Sequence, residues 1–106
     1  MTDEQACAYV LARLNDLADY YASLDDPWAQ SRSDAIGALG KEFQRTGIKA
    51  LVGFQRQREH DLRSALRGSM ALYSSPHPAE DFSSHARYIQ TLLYEGQFIT
   101  GLIGLA

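Results

Sequence analysis

The sequence predicts an all-α fold, a single-domain bundle of four to five helices. Apolar residues recur at spacings of three and four over most of the chain, which is the spacing of one helix face. No stretch alternates apolar and polar residues as a half-buried strand would. The composition, 45% hydrophobic and 22% charged, is that of a globular protein and not of a disordered one. We therefore expect residues 1–106 to form one helical domain around one core.

The first helix is predicted from about residue 3 to 24. Thr2 and Gln5 have the spacing of a capping box, in which each side chain accepts a hydrogen bond from the other residue's backbone N–H. The apolar face that follows consists of Ala6, Val10, Leu14, Leu17, Tyr21 and Leu24. The helix should end before Pro27, since proline disfavours helical geometry in the residue that precedes it.

The second helix is predicted to begin at Ser33, whose hydroxyl can cap the first turn. Its apolar face consists of Ile36, Leu39 and Phe43. Gly47 is expected to end this helix, because glycine adopts the left-handed conformation common just after a helix.

The third helix is predicted to begin near Ile48. Gln55 and Glu59 interrupt its apolar side. The segment is therefore either one helix to about residue 72 or two helices broken near residues 56–58.

The fourth helix is predicted from about residue 79 to 95, after a loop over residues 74–78, with Gly96 as its stop. Its inward residues are Phe82, Ala86, Ile89 and Leu93. The apolar tail, residues 97–106, is predicted as a short helix or a strand. One short helix cannot bury all of its large apolar residues against one neighbour, so we expect the tail to pack on a partner protein or a second copy. The candidate apolar and aromatic binding residues are Trp28, Phe98, Ile99, Leu102 and Ile103.

Charge is unevenly distributed along this chain of net charge −3. Residues 1–34 contain seven acidic and two basic residues, and residues 41–67 contain seven basic and three acidic ones. On a helical wheel one set of side chains shares a face about 90° from the apolar stripe of the third helix. We call this set the basic rail: Lys49, Arg56, His60, Arg63 and Arg67.

The basic rail has two interpretations. Its charges meet water or the acidic first helix, or they recognise an anionic partner such as an acidic protein or a nucleic acid. Nucleic acid is disfavoured because the chain is acidic overall and few aromatic residues are interleaved with the basic ones.

The segment His60-Asp61-Leu62-Arg63-Ser64-Ala65 is similar to the phosphoacceptor motif of histidine phosphotransfer domains, His-x-Leu-Lys followed by a small residue. The resemblance implies a helical bundle in which His60 accepts a phosphoryl group and Arg63 lies near its oxygens. Arg63 replaces the family's lysine, and Ser64 replaces its usual glycine.

A second segment, Thr91-Leu92-Leu93-Tyr94-Glu95-Gly96, resembles the inhibitory helix of antitoxins that silence Fic-type AMP-transferases. The resemblance implies that Glu95 would take the place of a nucleotide's terminal phosphate by pairing with a catalytic arginine. Glu95 is also an acid at a predicted helix C-terminus, where the helix dipole disfavours it.

No other motif indicates catalysis, a cofactor or a metal. His77, Asp81 and His85 are spaced by four, but a helix cap and surface histidines explain them better than a zinc site does. We expect the lone Cys7 to be a small buried residue.

The N-terminus does not have the character of a secretory signal, and no apolar run reaches the roughly 20 residues of a membrane span, so we expect a cytoplasmic protein. The function predicted is a non-catalytic protein-binding module, such as an inhibitor, an antitoxin or a regulatory subunit. The alternatives are phosphotransfer at His60 and nucleic-acid binding by the basic rail.

Overall fold

The computed structural model describes residues 2–68 and 78–105, with the backbone alone for residues 78–81. Within these ranges the chain forms four helices and no strand, which confirms the predicted all-α bundle. The helices are α1 (Asp3–Ala22), α2 (Ala29–Thr46), α3 (Ile48–Gly68) and α4 (Pro78–Leu105).

The four helices pack as two hairpins. α1 lies closely against α2, α3 lies closely against α4, and the hairpins meet mainly through α2 and α3. α1 and α4 touch only sparsely, and the backbones of α1 and α3 do not come close together. The core between the hairpins draws on every helix and consists of Val10, Leu14, Leu17, Tyr21, Ile36, Leu39, Phe43, Ala50, Leu51, Ile99 and Leu102.

Two predicted helix boundaries are confirmed. Gln5 N–H donates to Thr2 Oγ1 at 3.1 Å, and Thr2 N–H donates to Gln5 Oε1 at 2.9 Å, so the capping box is complete. Gly47 ends α2 with a φ of 69°, which glycine adopts without strain.

The predicted start of the second helix is wrong. α2 begins at Ala29, directly after Trp28, and Trp28 provides no side-chain cap. Ser33 lies one turn inside α2, where its hydroxyl donates to the carbonyl oxygen of Ala18 at 2.8 Å. The serine therefore joins α2 to α1 instead of starting α2.

The third helix is continuous through the positions where a break was open. Gln55 interrupts the apolar side because its amide bridges to α4, where it donates to the Gly96 carbonyl and to Thr100 Oγ1, both at 2.9 Å. The predicted extension to residue 72 and most of the loop over residues 74–78 lie outside the described residues.

The predicted stop at Gly96 is also wrong, because α4 continues to Leu105. The apolar tail is thus the last part of a long helix that packs in the bundle. Cys7 is exposed and not buried, since the buried residues of α1 begin one turn later, at Val10. In the described part of the chain, no helix combines the length and apolarity that a membrane span requires.

Candidate functional site

A buried polar cluster, formed by Tyr21, Arg32, Asp61 and Glu95, takes one side chain from each helix. The Tyr21 hydroxyl donates to Glu95 Oε2 at 2.5 Å. The Arg32 guanidinium donates to both Glu95 oxygens, and its Nη1 donates to Asp61 Oδ2 at 3.2 Å. Glu95 is completely buried, and a carboxylate buried this deeply is tolerated because its oxygens are paired.

The electrostatics of the polar cluster follow from that burial. Burial raises the pKa of the Tyr21 phenol, and the neighbouring Glu95 carboxylate raises it further. Burial lowers the pKa of the Arg32 guanidinium, but the hydrogen bonds and attraction from Glu95 outweigh this effect and raise it overall. The Arg32 guanidinium also lies 5.6 Å from the centre of the Phe54 ring.

Glu95 therefore lies inside the bundle and not at a helix end. The resemblance to Fic-antitoxin helices implied that this carboxylate meets an arginine of another protein, whereas here it pairs with Arg32 of the same chain. In this packing Glu95 is not presented to a partner.

Arg58 is a second buried cation, which the sequence patterns did not indicate. Its Nη1 donates to the Leu92 carbonyl and its Nε donates to Gln55 Oε1, both at 2.8 Å. A Cβ atom at Gly96 would lie 2.6 Å from the Arg58 Cζ, so only glycine leaves room for this guanidinium. Two features of the sequence could have indicated this contact: the polar Gln55 on the apolar side of α3, and Gly96 between apolar positions of α4.

No cluster within the described residues has the three histidine, cysteine or carboxylate groups that a metal ion needs. His77 and the side chain of Asp81 lie outside those residues. The third member of the predicted spacing, His85, has its Nε2 2.7 Å from the Ala65 carbonyl oxygen, a contact between α4 and α3.

The basic rail lies on the exposed surface of α3, where all five of its residues are solvent-exposed. Within the described residues, no acidic residue of the first helix forms a salt bridge with the rail. In the part of the chain that the structure describes, the one salt bridge of a rail residue joins Arg63 to Glu59 of the same helix at 4.0 Å.

The candidate apolar and aromatic residues are divided between core and surface. Ile99 and Leu102 are buried in the chain's own core, and Ile103 packs partly against it. They are therefore not on a free surface, because this part of α4 packs into the core that the helices share.

Trp28 and Phe98 are half-buried. Trp28 packs against Tyr88, with ring centres 5.6 Å apart, and its Nε1 donates to the Ser84 carbonyl at 3.3 Å. Phe98 lies beneath the Arg13 guanidinium, 5.1 Å from its ring centre.

Both rings line a groove of about 570 Å³ between α1 and α4, which we call the α1/α4 groove. Tyr20 and Tyr94 line it as well, and they are 56% and 54% exposed. The floor includes Leu17, Tyr21 and Leu24.

The charged residues that line the α1/α4 groove are paired with each other. Arg13 and Asp16 are 3.5 Å apart, and Arg87 and Asp26 are 2.6 Å apart. Hydrogen bonds from Arg87 lower the pKa of the Asp26 carboxyl, so this pair remains ionised near neutral pH.

No family model, no curated protein and no solved structure matches this chain.

Proposed function

We propose that the protein is a non-catalytic protein-binding module, of the kind that acts as an inhibitor, antitoxin or regulatory subunit. In this proposal the α1/α4 groove receives a short amphipathic helix of a partner protein. The observation that supports it most directly is the pair of half-exposed rings, Tyr20 and Tyr94, beside a groove also lined by Trp28 and Phe98. Tyrosine and tryptophan are the side chains most enriched where binding energy concentrates in interfaces.

The size of the groove suits a helix. Its α1 wall runs from Arg13 to Tyr21, which at the rise of an α-helix is about 12 Å, or about two turns. A helix that docks in such a groove buries side chains at positions i, i+4 and i+7, which are spread over two turns. Since α1 and α4 are only sparsely in contact, a docked helix would complete the packing between the two hairpins.

The charges of the groove favour an uncharged anchoring face. Both arginines and both aspartates that line it are already paired within the chain. A charged anchor would lose its hydration without gaining a free counter-ion, which is unfavourable in a partly buried site. We therefore expect the partner helix to present leucine-like or aromatic residues to the groove.

Phosphotransfer at His60 is the alternative that the exposed position of this imidazole supports. It would need a cation free to neutralise the phosphoryl oxygens, whereas Arg63 lies 4.0 Å from Glu59. Incubation with a phosphorylated receiver protein is the direct test. Acid-labile phosphate on His60 would favour this function over simple protein binding.

The proposed function is tested by photo-crosslinking in the native cell. A photoreactive residue is placed at position 20 or at position 94, on opposite walls of the groove. We expect both positions to capture the same partner protein. The matched control is position 93, since Leu93 is 51% exposed but does not line the groove.

The captured partner is then purified and its affinity measured directly. Tyr20→Ser with Tyr94→Ser should weaken binding by at least about tenfold, since aromatic anchors commonly contribute more than 1.4 kcal/mol each. Leu93→Ser should leave the affinity unchanged. The proposal fails if the two groove positions capture different proteins, if they capture only a second copy of this chain, or if Leu93→Ser weakens binding equally.

A further inference from the structure

The basic rail has an aliphatic border. Ile48, Val52 and Leu66, all on α3, are exposed although they are large and apolar. Val52 lies three residues after Lys49 and four before Arg56, and Leu66 lies three residues after Arg63. Residues at these spacings are surface neighbours on a helix. The outer face of α3 therefore combines a line of cations with exposed aliphatic side chains beside each end of that line.

The positive charge of this face is largely unneutralised within the described residues. The rail has four permanent cations and one histidine, and Glu59 is the acidic residue paired with one of them. Asp61 does not contribute to the outer face, because it binds Arg32 and Gln57. The chain as a whole has a net charge of −3, so the outer face of α3 is a local reversal of sign.

We propose that the outer face of α3 binds an acidic amphipathic helix of a protein partner. Carboxylates of that helix would pair with the basic rail, and its aliphatic residues would cover Val52 and Leu66. From Lys49 to Arg67 the rail is about 27 Å long, which corresponds to about five helical turns of a partner. The partner helix would then match both parts of the surface, because its carboxylates are opposite in charge to the rail and its aliphatic residues make apolar contacts with the border.

The border distinguishes this partner from a nucleic acid. A phosphate backbone would satisfy the cations but would leave the aliphatic side chains against water or charged oxygens. Single-stranded nucleic acids are bound through aromatic rings on which bases stack, whereas the border consists of isoleucine, valine and leucine.

This surface is separate from the α1/α4 groove, because none of its residues lines that groove. The two proposals therefore fail independently. A protein with both surfaces would hold two amphipathic helices at once, one through an uncharged face and one through an acidic face.

Binding of synthetic probes to the purified chain tests the proposal. The first probe is a fluorescent peptide of about 18 residues, five turns, with glutamates along one helix face and leucines along the next. The second has the same composition in an order that destroys the two faces. The third is a single-stranded DNA oligonucleotide of similar length. Fluorescence anisotropy measures the Kd of each.

We expect the ordered peptide to bind most tightly and the permuted peptide at least about tenfold more weakly. Arg56→Ala with Arg63→Ala should raise the Kd of the ordered peptide by at least about tenfold. Leu66→Ser should raise the Kd of the ordered peptide but not that of the DNA, because only the peptide has aliphatic side chains that can pack against the border.

Two variants serve as controls. Arg45→Ala removes an exposed cation of α2 that is outside the rail, and it should leave peptide binding unchanged. Tyr20→Ser with Tyr94→Ser removes the groove aromatics and should also leave it unchanged. The proposal is overturned if the ordered peptide does not bind at low ionic strength, if the permuted peptide binds equally well, or if the DNA binds more tightly.

Discussion

The guanidinium of Arg58 occupies the space that a side chain at position 96 would need. A Cβ atom built on Gly96 would lie 2.6 Å from the Arg58 Cζ and 2.7 Å from Nη2. The guanidinium cannot easily move aside, because it also donates to the Leu92 carbonyl and to Gln55. This contact joins α3 to α4 at Gly96, the glycine predicted from the sequence to end the fourth helix.

Gly96→Ala should therefore destabilise the protein by about 1–3 kcal/mol, the usual cost of forcing extra atoms into a packed interior. Gly101 is the matched control, since it lies in the same helix with nothing near its Cβ position. Gly101→Ala should stabilise the protein by about 0.5–1 kcal/mol because alanine is the better helix former. Chemical denaturation measures both changes. Equal effects of the two substitutions would mean that the position of the Arg58 guanidinium does not require glycine at position 96.

The Arg32–Glu95 pair makes a prediction that a double-mutant cycle can check. Glu95→Gln keeps an acceptor for the Tyr21 hydroxyl but leaves the buried Arg32 without this counter-ion. Removing one partner of a buried pair costs about 3–5 kcal/mol. Arg32→Met should cost a similar amount, because Glu95 is then buried with no cation.

The double variant, Arg32→Met with Glu95→Gln, should lose much less stability than the sum of the two single variants, since it leaves no isolated charge. Asp61 tolerates the loss of Arg32 because its side chain is partly exposed and also accepts from Gln57. Additive losses would show that the two charges do not depend on each other.

Tyr21 should make the protein sensitive to alkaline pH. Burial and the Glu95 carboxylate raise the pKa of the Tyr21 phenol above its ordinary value of 10.0. The folded state therefore holds this proton more tightly than the unfolded state does. The resulting stability is fully present below about pH 10 and decreases as the pH rises further.

The measurement is the melting temperature of the wild type and of Tyr21→Phe at a series of pH values. Tyr21→Phe loses the hydrogen bond to Glu95, so it should be less stable near neutral pH. Above about pH 10 its melting temperature should decrease less steeply than that of the wild type. Parallel curves for the two proteins would contradict the prediction.

How far the fold was predictable depends on whether its cause was local. The capping box of Thr2 and Gln5 and the left-handed Gly47 act within a few residues of their own helix, and both predictions are confirmed. The apolar spacing also predicted the core residues of α1, from Val10 to Tyr21. Each of these features is determined by residues that are close together in the sequence, so a short stretch of sequence is enough to predict it.

The wrong predictions have causes in another helix. Ser33 looked like a cap, but its hydroxyl bonds to α1. Gly96 looked like a helix stop, but it makes room for Arg58 of α3. The mild misfit of Glu95 at that apparent stop was a real signal, yet its partners are 63 and 74 residues away in the chain. No local pattern could identify them.

The candidate sites follow the same division. The exposure of the basic rail agrees with its place on one side of the predicted helix, because that arrangement is a property of α3 alone. The α1/α4 groove was not predicted, since it depends on how two distant helices diverge. Nothing in the sequence beyond their aromatic character indicated Tyr20 and Tyr94 as binding residues.

The apolar tail makes the last prediction, and it concerns stability instead of binding. Ile99 is completely buried in the core, whereas Leu105 is 45% exposed at the end of α4. Ile99→Ala should cost about 2–5 kcal/mol, as expected for a large apolar side chain removed from a packed core. Leu105→Ala should change the stability by no more than about 0.5 kcal/mol.

Deletion of residues 97–106 should unfold the protein, because it removes both Ile99 and Leu102 from the core. Circular dichroism and chemical denaturation of the three variants check this order. A stable, fully helical protein after the deletion would mean that the tail packs elsewhere, on a partner or a second copy. Because the deletion removes core residues, loss of partner binding by the deleted chain is expected from unfolding alone. Leu105→Ala is therefore the variant that separates a binding role of the tail from its structural one.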